Sequence, residues 1–141
     1  MPVLSLGRYA GARREAIVAL KEHGRTDLVT PLAAAVNAGI RHLLAWGVIE
    51  TPLTVVPAPT RSSAARRRGG DPVARIAAAA TAEVCGADVV AALRMRAFAR
   101  DSVGLSSVDR QRNVAGRVKV AKPVAGDVLV VTRLDRLARS T

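Results

Sequence analysis

Aromatic side chains are nearly missing from this chain. Among 141 residues only Tyr9, Trp46 and Phe98 carry one. That argues against a single-strand nucleic-acid platform, which stacks bases on successive aromatic rings. It also leaves Ala, Val and Leu to build the core, and Ala-rich helices bury little area per residue. Cysteine is scarcer still. Cys85 stands alone, so no intrachain disulfide and no Cys-based zinc site is available. Beside Gly86, near the end of a helical pattern, Cys85 is expected to be small and buried. Acids are few: 11 Asp and Glu face 22 Lys and Arg, a formal net charge of +11. Long unbroken apolar runs are absent as well. LAAAVNAGIRHLLAWGVI carries Asn37, Arg41 and His42 in its middle, which makes a bilayer span unexpected. The N-terminus shows no basic start followed by an apolar run. The expectation is a cytoplasmic protein that does not engage a membrane.

What is abundant is arginine, and its planar fork of donors suits phosphate. The charge balance therefore favours a phosphate-bearing ligand or nucleic acid as partner. A high-GC coding bias towards Arg and Ala would give the same composition. The length fits one domain, large enough to bury about two thirds of its unfolded surface.

Residues 10–23 repeat small and apolar residues at helical spacing, and Gly24 ends the run. Thr30-Pro31 reads as a hydroxyl cap followed by proline at the first helical position. Leu32, Ala35, Val36, Leu43 and Trp46 are then expected on one buried face, with Gly47 closing the helix. LTVV after Pro52 reads as a buried strand. Asp71-Pro72 opens a third helix, expected to run to Gly86. Residues 88–94, DVVAALR, fit one further strand. VAGRVKVAKP alternates small and basic residues like an exposed strand or hairpin arm, and GDVLVV fits a second buried strand. Helix and strand in alternation predict an α/β fold with a mainly parallel sheet.

Two stretches carry candidate chemistry. In TVVPAPTRSSAARRRGG a buried strand ends in Pro57, Ala58, Pro59, Thr60 and Arg61, with Arg66, Arg67 and Arg68 following. Open α/β sheets bind ligands at the carboxyl ends of their strands. Thr60 and Arg61 offer donors, Gly69-Gly70 permits close backbone approach, and the amides opening the helix at Asp71 would lie near. A merely solvated basic loop has the same composition. In VDRQRNVAGRV, Arg110 and Asn113 lie three apart, on one side of a helical turn. Arg110 would clamp phosphate and Asn113 would contact a ribose or base edge; a capped surface turn is the plainer alternative.

The order of these pieces resembles the ComF family, proteins with a type I phosphoribosyltransferase domain associated with competence and DNA uptake. LGRYAGARREAIVALKEHGRTDLVTPLA is similar to the family's Tyr-Gly-small-Arg segment and Lys-x-x-Gly-Arg turn. VVPAPTRSSAARRRGGDPVARIA is similar to its Val-Pro-x-Pro…Arg-x-x-Gly segment. DSVGLSSVDRQRNVAGRVKV is similar to its Leu-x-x-x-x-Arg-x-x-Asn stretch. The likeness covers roughly residues 5–131. It implies a single phosphoribosyltransferase-like (Rossmann-like) domain without the family's zinc segment and later strands, residues 126–141 forming a divergent tail. It implies pyrophosphate contacts from Ala58, Pro59, Thr60 and Arg61, with Arg67 and Arg68 adding charge, and ribose or phosphate contacts from Arg110 and Asn113. It implies no resident metal; Mg²⁺ would enter only with an intact phosphoribosyl site.

The departure lies after VLVV. There the family carries two adjacent acids and then a Thr-Thr-Gly-x-Thr loop. The acids hold the ribose hydroxyls and the loop cradles the 5′-phosphate. Here Thr132 and Arg133 stand at the acid positions, Asp135 comes late, and Arg136 and Arg139 replace the small residues. The expectation is a site that does not take magnesium-bound phosphoribosyl pyrophosphate.

GDVLVVTRLDRLARS in turn resembles the strand-and-helix segment of serine recombinases of the resolvase/invertase type. That likeness implies Arg136 and Arg139 as DNA-phosphate contacts, oriented by Asp135. It covers only residues 126–141, and the serine-bearing nucleophile segment is absent: Tyr9-Ala10-Gly11-Ala12-Arg13 holds no serine. A ComF-like frame joined to recombinase-like coding sequence at Gly126 would account for both likenesses. In the family VLVV would be a central strand; ending the chain near it would expose an apolar edge and favour self-association.

Overall fold

The computed structural model describes residues 4–60, 69–95 and 117–131. They form an α/β unit with a small parallel sheet. The elements run α1 (Gly11–Glu22), a 3₁₀ turn (Thr26–Leu28), α2 (Val29–Ala45), β1 (Leu53–Pro57), α3 (Pro72–Thr81), β2 (Ala87–Val89), β3 (Leu93–Met95), β4 (Val118–Val120) and β5 (Asp127–Val131).

β1 pairs in parallel with β2 on one side and β5 on the other. Its sequence, LTVVP, is β-branched where the pleat needs it. Leu53 and Val55 face the helices and are wholly buried. Leu129 and Val131 stand opposite Val55 and Pro57 in the register and join the same face. β3 and β4 form a separate antiparallel pair.

The core lies between the sheet and the helices: Ile17 and Leu20 from α1, Val29, Ala33, Val36 and Ile40 from α2, and Val73, Ile76, Ala77 and Ala80 from α3. α2 and α3 meet through small side chains, and a polar latch fixes their register. Asn37 Nδ2 donates to the Ala80 carbonyl at 2.6 Å. Arg41 Nε donates to Asn37 Oδ1 at 2.9 Å, and its Nη2 to the Glu83 carbonyl at 3.3 Å. By length and composition alone, Thr26–Ala45 is apolar enough to cross a membrane. In the fold one face of it packs into the core, with 22% of that stretch buried, and Asn37 and Arg41 tie it to carbonyls on and after α3.

Several sequence expectations hold. α1 ends before Gly24, β1 follows Pro52, and Asp71 caps α3. Gly47 closes α2 in the left-handed region (φ +64°), where a residue without Cβ meets no penalty. The Val48 N–H then turns back to the Leu43 carbonyl at 2.9 Å.

Others are corrected. α2 starts at Val29, not after a Thr30 cap, because the 3₁₀ turn feeds directly into it. Pro31 is tolerated since the first helical N–H groups have no intrahelical partner anyway. The buried stripe of α2 is 29/33/36/40 rather than 32/35/36/43/46. Ala35 is exposed and Trp46 is 72% exposed, while Leu32 and Leu43 are half-buried. α3 stops at Thr81 instead of reaching Gly86. The Thr81 hydroxyl bonds back to the Ala77 carbonyl at 3.0 Å, an arrangement that competes with further helix. Residues 88–94 are not one strand. The Ala92 N–H bonds the Val90 carbonyl at 2.7 Å, and that tight turn separates β2 from β3. Cys85 is exposed, because the chain has already left the helix there. The place expected for VLVV is found: among the described residues β1 is the central strand and β5 an edge strand, with Val128 40% exposed.

Candidate functional site

In an open parallel sheet a ligand crevice forms where successive connections leave a strand in opposite directions. The order β2-β1-β5 creates that point at β1. The chain leaves β1 through α3 to reach β2 on one side, and returns as β5 on the other. The crevice lies between the carboxyl ends of β1 and β5, at Ala58, Pro59 and Thr60 beside Val131. Of the sequence-derived site residues, Ala58, Pro59 and Thr60 are therefore brought to the switch point. All three are half-buried. Arg61, Arg67, Arg68, Arg110, Asn113, Arg136 and Arg139 lie outside the described residues, as do Thr132, Arg133 and Asp135.

The backbone at this crevice has few donors to spare. Pro57 and Pro59 have no N–H. The Ala58 N–H donates to the Val131 carbonyl at 2.8 Å, extending the β1–β5 ladder by one bond. Only the Thr60 amide and hydroxyl remain from this stretch. The opening of α3 is also committed. Asp71 Oδ1 accepts from the Val73 N–H at 2.9 Å and the Ala74 N–H at 3.4 Å, and Pro72 offers no N–H. A carboxylate thus already sits where an anion would bind the helix N-terminus. The sequence reading placed these amides at a phosphate's disposal; the Asp71 cap takes them. The signal was present in the sequence, because an aspartate before Pro-Val-Ala is both a good cap and a resident anion.

What the crevice can do follows from this inventory. Among the described residues, the Ala58 amide and the Val73 and Ala74 amides are not available to wrap a phosphate. The Thr60 hydroxyl stands at the crevice, and the sequence puts Arg61, Arg66, Arg67 and Arg68 in the connection that leads from it. Among the described residues no group of three or more His, Cys, Asp or Glu is arranged to hold a metal ion.

A second concave feature among the described residues is an apolar groove of about 570 Å³ between segment 4–9, α1, α2 and β5. Sequence reasoning missed it because it assigned Trp46 and Leu43, which line it, to the buried stripe of α2. Comparison with protein-family models, with curated proteins and with solved structures gave no match.

Proposed function

We propose that this chain is a ComF-like protein on a phosphoribosyltransferase-like (Rossmann-like) scaffold, with a crevice that binds phosphate-bearing ligands through arginine side chains and does not capture magnesium-bound phosphoribosyl pyrophosphate. The observation that supports it most is the coincidence of the Val-Pro-Ala-Pro-Thr segment with the switch point at β1. The reading goes with a cytoplasmic protein.

The loss of sugar-pyrophosphate chemistry rests on sign. A metal-bridged sugar needs carboxylates after β5, and the sequence has Thr132-Arg133 there. At 4 Å a pair of unit charges interacts by about 4 kcal/mol at a surface-like dielectric. Replacing attraction by repulsion offsets most of a micromolar affinity, about 8 kcal/mol. The spent amides of Ala58, Val73 and Ala74 act in the same direction.

A second reading, a basic nucleic-acid-binding module, gains from the same inventory. Where amides are committed, binding falls to exposed guanidiniums, and a net charge of +11 favours polyanions. The recombinase-like reading rests on Arg136 and Arg139 and lacks a serine nucleophile segment. A calorimetric titration separates the first two readings. Pyrophosphate binding that a single-stranded DNA oligonucleotide cannot match supports the crevice. Tighter DNA binding with a steep salt dependence supports the nucleic-acid module.

A further inference from the structure

The apolar groove shares Val131 with the phosphate crevice but is otherwise built from different residues. Its floor is Ile17, Val36 and Ile40, and its lips are Leu4, Leu6 and Trp46. Gly39 makes room for the wall: the Leu6 side chain occupies the place a Cβ on Gly39 would take. The Arg13 guanidinium lies over Gly7 in the same manner, which fixes a cation at the edge. Tyr9 packs against the core behind the segment.

Among the described residues the charged groups that line the groove are of one sign: Arg8 and Arg13, with no Asp or Glu. Neither arginine has an acidic partner among the described residues. His42 Nδ1 lies 2.9 Å from the Ala38 carbonyl, and its ring leans on Trp46 at 5.6 Å. An apolar trough with a few oriented polar groups and a volume of about 300–1,000 Å³ is the usual form of a small-molecule site. Two guanidiniums without an acidic partner among the described residues stand at its edge, and they select an occupant with an apolar body and a negative head.

We infer that this groove binds a single-chain anionic amphiphile, a long-chain fatty acid, with the alkyl chain along Leu32, Val36 and Leu43 and the carboxylate at Arg8 and Arg13. Charge disfavours the other candidates. A second copy of this chain would bring another net +11 against two arginines. The segment that follows Val131 carries Arg133, Arg136 and Arg139 against Asp135 alone.

Trp46 is the chain's single tryptophan and stands at the lip, so its fluorescence reads the groove directly. The test is a titration of the full chain with laurate, below its micelle concentration, beside lauryl alcohol. Laurate is expected to shift Trp46 emission to shorter wavelength and to saturate, with the alcohol several-fold weaker. Arg8→Gln with Arg13→Gln should weaken laurate by up to about five-fold per guanidinium and leave the alcohol unchanged. Arg14→Gln, on α1 but outside the groove, should change neither, and far-ultraviolet circular dichroism checks that the variants fold. The inference is overturned by any of several results: no saturable shift, equal affinity for acid and alcohol, or equal losses in the Arg14 variant. Emission that already lies at short wavelength and does not move would show the groove filled by the chain itself, and overturns it too. So does emission that depends on protein concentration, the mark of a second copy, and so does displacement of laurate by pyrophosphate, which would place it in the crevice.

Discussion

The carboxylate of Asp127 accepts the backbone N–H of Glu50 at 2.7 Å, across seventy-seven residues of sequence. It joins the first residue of β5 to the turn that feeds β1. The adjacent Asp127 N–H donates to the Pro52 carbonyl at 3.2 Å, and Thr54 Oγ1 donates to the Ala125 carbonyl at 2.9 Å. The β1–β5 register, and with it the crevice at the opposite end, is pinned here. Asp127→Ala removes the acceptor and should cost about 1 kcal/mol in chemical denaturation. Asp127→Asn keeps an acceptor oxygen and should recover part of that loss.

Gly126 turns the chain into this junction with φ +74°. A Cβ there would meet the Pro52 carbonyl oxygen at 2.5 Å, and backbone cannot step aside cheaply. Gly126→Ala combines this clash with a left-handed conformation worth about 1–2 kcal/mol against any non-glycine residue. The variant should lose at least that much stability in a denaturant titration, more than Asp127→Ala loses.

Asp71 caps α3 and would repel an anion bound beside it. Asp71→Ser keeps a capping oxygen, so stability should change by only a few tenths of a kcal/mol. The resident negative charge disappears, and pyrophosphate should bind more tightly. Asp71→Ala should cost about 1 kcal/mol while also gaining affinity. Melting curves and calorimetry on the same two proteins check both halves.

Asp27 accepts Arg25 Nε at 2.8 Å and Nη2 at 2.7 Å in a fully exposed pair. The hydrogen bonds from Arg25 hold its carboxyl below the ordinary value of 3.8. A depressed carboxylate contributes stability above its unfolded pKa and loses it as pH falls through the folded one. Any contribution should therefore fade below about pH 4, and high salt should shrink it because the pair is in water. Carboxyl NMR should place the Asp27 midpoint below 3.8, and Arg25→Gln should move it back up.

The alternation of elements was legible in the sequence because its signals are local. LTVV between prolines, the Asp71-Pro72 cap and Gly47 each act within a few residues of their own position. What was not legible depends on partners distant in sequence. The stripe of α2 rotated away from Trp46 because Asn37 and Arg41 reach carbonyls on and after α3. Residues 88–94 divided because Thr54 and Val55 pair with one half and Lys119 and Val120 with the other. The strand end at Ala58, Pro59 and Thr60 was legible, since a buried strand followed by prolines marks itself. That the Ala58 amide was already spent on Val131 was not, because β5 follows it by seventy residues.

The account stands or falls on one titration of the intact chain with phosphoribosyl pyrophosphate, with and without Mg²⁺, followed by calorimetry. It predicts weak binding that added Mg²⁺ does not strengthen and that inorganic pyrophosphate matches. Low-micromolar binding that appears only with Mg²⁺, and that pyrophosphate cannot equal, would contradict it.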